Sequence, residues 1–382
     1  MSFAGHRTPT KMLEAIFQSF PKPHVLLQET SIPIPPPKCL LIKVIVASSN
    51  PKDWQHPTSL RRSLNSGDDL AGTIAALGPD NPTSFKVGDR VAAFHPMLSP
   101  GGAYAEYALA PAATICHIPD LTSFEEAATI PLVSATAALT LFRRQGLPSP
   151  WSKTSQNSSQ TPVIIYGASS SLGTFAVKLA KLSNIHPVIA IAGSNASYVS
   201  NFLDSAKGDM LLDYRVGGSQ LISQVRLHLD SLGLEAHHAF DCISEHDSWV
   251  PLSQMLDPIS SDGVRNVLSV VSGAQKYDSP EIPMGVEVVY TYVGSVHTGA
   301  YPPQMPKQAP KEDAKGDPEF VEEFFGWLEG ALERREYEGH PFEVVPGGLG
   351  GVEEGLRRLR MGEAGGKKMV YRIEENDRSL AT

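Results

Sequence analysis

A chain of 382 residues, 41% hydrophobic and 19% charged, is long enough for two domains and too apolar to remain unfolded. Its formal net charge of −9 argues against a nucleic-acid binder, whose phosphate contacts need clustered cations; the densest basic pairs, Arg61-Arg62 and Arg357-Arg358, read as solvated faces. Cys39, Cys116 and Cys242 match no C-x-x-C spacing, which excludes a four-thiolate zinc site, gives no disulfide scaffold and suits a reducing compartment.

The opening MSFAGHRTPTKMLEAIF lacks the apolar core of a signal peptide, and no run reaches the length of a membrane span. A cytoplasmic protein without a membrane partner is expected. The first third reads as β-rich, with strands over Cys39–Ala47, Thr73–Leu77, Arg90–Phe94 and Tyr104–Leu109, each bounded by Gly, Pro or Asp. Residues 123–146 turn helical, with Ser123 as N-cap and Glu125 and Glu126 in the first turn. The polar tract from Ser152 to Pro162 reads as a surface loop.

From Pro162 onward strand and helix alternate, as in a doubly wound parallel sheet. The strands fall at Val163–Tyr166, Val188–Ala192, Met210–Leu212, Ala239–Cys242, Val264–Val271 and Val286–Val293. A second irregular tract runs from Tyr301 to Pro318. An amphipathic helix, a strand (FEVVP), a further helix and a last strand (KKMVYRI) follow it.

The segment TPVIIYGASSSLGTFAVKLAKLS, from Thr161, carries the chemistry. A β-branched run enters a small-residue turn from Gly167 to Gly173, and a helix follows with Leu172, Phe175, Ala176, Leu179 and Ala180 on one face. Such a turn offers backbone N–H groups and a helix N-terminus to a pyrophosphate. Of the G-x-G-x-x-G fingerprint only Gly173 matches, with Ala168 and Ser170 at the first two glycine positions. Gly167, Ser169, Ser170, Ser171 and Leu172 are the expected contacts. No acidic residue appears between the second strand and Asp204, so nothing would repel a ribose 2′-phosphate. Ser194, Asn195 and Ser197 supply donors, Tyr198 or Tyr214 a cover for adenine, and Lys178 or Arg215 a cation. NADPH is the expected cofactor.

The order of motifs resembles that of the medium-chain dehydrogenase/reductase superfamily, in its branch of zinc-independent quinone oxidoreductase-like proteins and fungal trans-acting enoyl reductases. The resemblance rests on Asn50-Pro51-Lys52-Asp53, GDDLAGTI from Gly67, VGDRVAAF from Val87, GGAYAEY from Gly101 and EEAATIPLVSATAAL from Glu125. It continues through the Gly167 turn, LDYR from Leu212, YVGSVH from Tyr292 and GGKKMVYRI near the end. It implies an α/β protein in which a GroES-like β-rich catalytic domain is made by residues 1–140 and 294–382. A Rossmann doubly wound parallel sheet domain takes residues 141–293. It implies Asn50, Gln55 and Thr136 as catalytic residues, and Lys52, Asp53, Val270 and Gly365 as further cofactor contacts.

Zinc-dependent relatives place a Cys just before the Asn50 region and Gly-His-Glu where this chain has Gly67-Asp68-Asp69. Ser48 and Ser49 precede Asn50 here, so both ligand types are missing and no metal is expected. Asp68, Asp69 and Glu106 alone would favour hard cations. Several enoyl reductases carry Lys where this chain has Gln55. The implied function is NADPH-dependent hydride delivery to an electron-poor acceptor, a quinone or a conjugated C=C. The substrate is then a free small molecule, or a polyketide chain held on a carrier for a trans-acting enoyl reductase. Tyr104 and His95 are candidate proton donors, and Asp53 a loop anchor. A non-catalytic NADPH- or partner-binding protein is the alternative of another class. The β-prone stretch Val286–His297 at the sheet edge points to a homodimer.

Overall fold

The computed structural model describes residues 10–152, 160–193, 195–257, 264–303, 307–310 and 312–376. Ser194, residues 153–159 of the polar tract, and residues 304–306 and 311 of the second irregular tract lie outside them. The chain divides into two units, one of Met1–Pro131 with Leu328–Thr382 and one of Leu132–Trp327.

In the first unit a seven-stranded sheet runs Phe342–Val344, Lys368–Arg372, Cys39–Ser48, Asp69–Leu77, Arg90–Phe94 and Ile115–His117, and Tyr107–Pro111 also pairs with Cys39–Ser48. Apolar residues of these strands (Leu40, Ile42, Val44, Leu70, Val91, Met369) meet Tyr104 and Tyr371 in one core. A hairpin of Lys11–Gln18 and His24–Ser31, absent from the sequence reading, adds Leu13, Ala15 and Phe17 to that core.

The second unit holds six parallel strands in the order Met210–Asp213, Val188–Ala192, Val163–Tyr166, His238–Asp241, Asn266–Val270 and Val286–Tyr290. The first strand in the chain lies mid-sheet, and the winding reverses between Val163–Tyr166 and His238–Asp241. Ligands of open α/β sheets bind outside the carboxyl ends of the strands at such a point. Val188–Ala192 and Asn266–Val270 are buried along their whole length, as a sheet covered on both faces requires. At the outer edge Tyr290 N–H already donates to Gln308 O at 3.0 Å, and exposed Glu287 pairs with Arg265 at 2.6 Å.

Two local features depart from the sequence reading. Residues 123–146 form no single helix. Ser123 caps Phe124–Ala127 by accepting from Glu126 N–H at 3.1 Å, and a new helix, Pro131–Ala138, starts on a proline that needs no N–H partner there. It widens into a π-turn over Leu139–Arg144, where Thr140 Oγ1 bonds Thr136 O at 2.8 Å. The divisions at 140/141 and 293/294 also differ from the observed units. Arg144, its side chain fully buried, pairs with Asp317, with 2.9 Å from Nη1 to Oδ1, and Ser295 Oγ donates to the same carboxylate at 2.6 Å. Trp151 packs on Phe142, Phe320, Phe324 and Trp327, so residues 294–327 belong with the parallel sheet.

Arg144→Met leaves the buried Asp317 carboxylate with only the longer, 3.6 Å ion pair to Arg143 Nε, and is expected to destabilise the protein by about 3 kcal/mol in urea unfolding. Arg265→Met, at the exposed pair with Glu287, is expected to cost under about 1 kcal/mol in the same measurement.

Candidate active site

Where strand Cys39–Ser48 ends, Pro51 turns the chain into helix Lys52–Leu60, and the Asn-Pro-x-Asp motif closes on itself. Asp53 Oδ2 accepts from Asn50 N–H at 2.9 Å and from Tyr104 OH at 2.5 Å. Lys52 Nζ lies 2.8 Å from Asp53 Oδ1, donates to Ser66 O at 2.6 Å and pairs with Asp68. Asn50 Nδ2 donates to Asp69 Oδ2 at 2.8 Å. The circuit is completed from the far end of the chain, where Lys368 Nζ donates to Asn50 Oδ1 at 2.7 Å and to Asp69 Oδ2 at 2.8 Å. Three buried carboxylates thus face two ammoniums, one positive charge short of neutrality.

The electrostatics follow from that count. Burial pushes the Asp68 carboxyl up to about 7; Asp53 and Asp69 push the same way, and Lys52 opposes them. Burial also raises Asp53, against the pull of Lys52 and Tyr104. His56 is lowered to about 4 by burial and by the Lys52 charge. His95 is lowered by burial, and its ring nitrogens lie 2.6 Å from Leu109 O and 3.1 Å from Ser99 O, to one of which the neutral ring donates. Burial raises Tyr104 well above its ordinary range. Glu106 is engaged by Leu13 N–H at 2.9 Å. Gln55, half-buried on the first turn of the helix, has no described side-chain partner.

In the second unit the turn after Val163–Tyr166 has the shape of a phosphate cradle. Gly167 is left-handed at φ 74, and Ser170 caps helix Ser171–Leu182, its Oγ accepting from Gly173 N–H at 3.0 Å. A Cβ on Gly173 would fall 2.3 Å from Gly167 O and 2.6 Å from Ala168 Cα, so only glycine lets the helix approach this closely. Among the described residues nothing accepts from the backbone N–H groups of Ser171 and Leu172. Beside the turn lies a cavity of about 430 Å³ lined by Tyr166, Tyr214, His246, Ser248, Pro251 and Glu281. Tyr166 and Tyr214 stand 6.1 Å apart, and the Tyr214 ring is so close to Gly193 that a Cβ there would meet it at 2.6 Å. Lys178 Nζ donates to Tyr198 OH at 3.0 Å and sits over the Phe202 ring at 4.9 Å, whereas Arg215 is held by Asp213 at 2.8 Å.

Residues 36–120 match the alcohol dehydrogenase GroES-like domain family. Over 343 residues the chain is 36% identical to the trans-enoyl reductase fsr4 of Gibberella fujikuroi, covering 89% of this chain and 93% of that protein. The chain belongs to the trans-enoyl reductases of the medium-chain dehydrogenase/reductase superfamily. The fold is that of the CurK enoyl reductase (TM-score 0.67, 15% identity, 95% of this chain and 99% of that one). It is equally that of the quinone oxidoreductase from Coxiella burnetii (TM-score 0.66, 17% identity, 95% and 99%). The protein is therefore a reductase, of a fold that takes a nicotinamide cofactor.

The reductase brings Asn50, Lys52 and Asp53 together in the first unit, with Gln55 one turn along and Gly365 on a left-handed turn (φ 61) before strand Lys368–Arg372. The second unit gathers Gly167, Ser169, Ser170, Ser171 and Leu172 in the turn. Asn195, Ser197 and Tyr198 follow strand Val188–Ala192, Tyr214 follows Met210–Asp213, and buried Val270 ends its strand. Thr136 Oγ1 donates to Leu132 O at 2.8 Å, which leaves its oxygen only an acceptor's role. Lys368 was missed, although a lysine that opens the run Met369-Val370-Tyr371 is a signal, because lysine is almost never fully buried without a partner. Among the described residues no group of three or more His, Cys, Asp or Glu side chains is placed to hold a metal ion.

Asp68 gives the corner a pH dependence whose sign is fixed. Its folded value, about 7, lies above the ordinary 3.8, so between those limits the folded state holds a proton that the unfolded state has released. The stabilisation is full below about pH 4 and is lost as pH rises to about 7. Urea midpoints measured against pH are expected to fall over that window in the native protein, by an amount that Asp68→Asn removes.

Proposed function

We propose that this reductase delivers hydride from NADPH to the conjugated C=C of an enoyl thioester borne on a carrier, without a metal. The full-length likeness to a trans-enoyl reductase supports the reading most. The donor set supports the metal-free part, since Lys52 and Lys368 already engage Asp68 and Asp69. The three cysteines are free thiols, in keeping with a reducing cytoplasm. A homodimer through the Val286–Tyr290 edge has less support, because Gln308 occupies one of the edge donors.

The bound nicotinamide supplies the hydride. The Ser171 and Leu172 N–H groups and the helix they open would hold the pyrophosphate. Tyr214 and Tyr166 would flank the adenine in their cavity, and Ser197, Tyr198 and Lys178 would receive the 2′-phosphate. The Lys52 and Lys368 network fixes Asn50 and the first turn of helix Lys52–Leu60. That turn presents the free Gln55 amide as a donor for the enolate oxygen, where negative charge collects as the C=C is reduced.

NADPH oxidation should be followed with crotonyl-pantetheine and with a benzoquinone, each with and without a chelator. The expected result is chelator-insensitive turnover of the thioester, lowered on the order of a hundredfold by Gln55→Ala. Turnover of the quinone alone would favour the other acceptor class. Titrating both nucleotides by fluorescence is expected to give about tenfold tighter binding of NADPH, ~1.4 kcal/mol, and Lys178→Met should abolish the preference. Equal binding by the native protein would show that the turn does not read the 2′-phosphate.

A further inference from the structure

One corner of the first unit presents free positive charge around an exposed aromatic ring. Phe20 is 80% exposed. Lys22, Arg61 and Arg62 are exposed around it, and no described carboxylate pairs with any of them. The other basic pair behaves differently. Arg357 is held by Glu354 and Glu363, each at 2.7 Å, and Arg358 by Glu343 at 2.7 Å. The two free segments are joined, not merely near. Phe17 and Leu64 exchange backbone hydrogen bonds at 3.0 and 3.2 Å, and Ser19 Oγ donates to Pro57 O at 3.2 Å. The negative end of helix Lys52–Leu60 accounts for one nearby cation. Three cations around a bare phenyl ring exceed that need.

We infer that this corner is the docking surface for an acidic carrier domain that bears the enoyl thioester. The inference rests on the carrier-bound reading of the substrate. Charge complementarity selects the occupant. A protein of net charge −9 repels an acidic partner over most of its surface, so a local cluster of unpaired cations both attracts and orients it. Phe20 supplies the apolar anchor that such interfaces need at their centre. The position fits the chemistry as well. Helix Lys52–Leu60 carries Gln55 on its first turn and ends at Arg61, and its nine residues span ~13 Å. A carrier docked at one end of the helix has only a short distance to present its flexible arm to the other.

The test compares the native reductase with Arg61→Glu/Arg62→Glu and with Phe20→Ser. The substrates are a crotonyl-loaded acyl carrier domain and crotonyl-pantetheine, and calorimetry measures binding of the carrier separately. The expected result is a roughly tenfold rise in KM for the carrier-borne thioester with kcat retained. Turnover of crotonyl-pantetheine should stay within about twofold, which also shows that the variants fold. Added salt should weaken the native protein towards the variants. Unchanged KM for the carrier substrate, or equal losses on both substrates, would overturn the docking surface. Carrier binding that the charge reversal abolishes, in a native protein that reduces neither thioester, would uphold the surface and sink the enoyl-reductase reading. Neither binding nor turnover would remove both.

Discussion

Lys368 holds the first unit's chemistry in place. Its ammonium, 2% exposed, touches Asn50 and Asp69 at once, and Asn50 in turn touches Asp69. A buried charge is tolerated only when paired and hydrogen-bonded, so each of the three groups is correct only in the presence of the other two. The arrangement joins a strand at one end of the chain to a loop and a strand near the other. Sheet register produces it, since Val370 pairs with Ser48 and Ser49 N–H bonds Met369 O, which sets Lys368 beside Asn50.

The second unit solves a different problem with backbone alone. Its central requirement is a close approach of helix to turn, met at Gly173, where no side chain fits. Ser170 then takes the Gly173 N–H, and the neighbouring N–H groups are the ones proposed to hold the pyrophosphate. The aromatic cavity is set up the same way, by the absence of a side chain at Gly193 under the Tyr214 ring. In one unit buried charges fix the geometry, and in the other missing side chains leave room for it.

This difference decides what could be read from the sequence. The cradle is local: strand, turn, cap and helix follow each other within twenty residues or so, and each leaves a compositional mark. The central strands Val163–Tyr166 and Val188–Ala192 were legible for the same reason, as continuous apolar runs. The Lys368 bonds connect residues 318 and 299 positions apart, and the Arg144–Asp317 pair spans 173, so no local pattern announces them. That pair and the Trp151 cluster hold residues 294–327 with the parallel sheet, so the two units divide at other points than the sequence reading expects. The hairpin Lys11–Gln18 with His24–Ser31 was passed over because KMLEAIFQ mixes apolar and polar residues in a way that suits a helix as well as a strand. Arg61-Arg62 and Arg357-Arg358 look alike as text; only their carboxylate neighbours tell them apart.

The corner also bears on the choice of reaction. Where the zinc-dependent relatives have Gly-His-Glu, this chain has Gly67-Asp68-Asp69, and two lysines bring to it the two positive charges that a divalent ion would. An ammonium neutralises a carboxylate by turning its donors towards it. Lys52 turns its three donors to Ser66, Asp53 and Asp68, and Lys368 turns two of its own to Asn50 and Asp69. Metal catalysis, by contrast, depends on an open coordination position at the ion. A corner whose cations are turned to its own carboxylates suits an acceptor that brings its own activation, in which the incoming negative charge spreads through conjugation onto an oxygen. In the proposed reaction a single neutral donor, the Gln55 amide, would then complete the stabilisation. A conjugated thioester has that property and an isolated carbonyl does not.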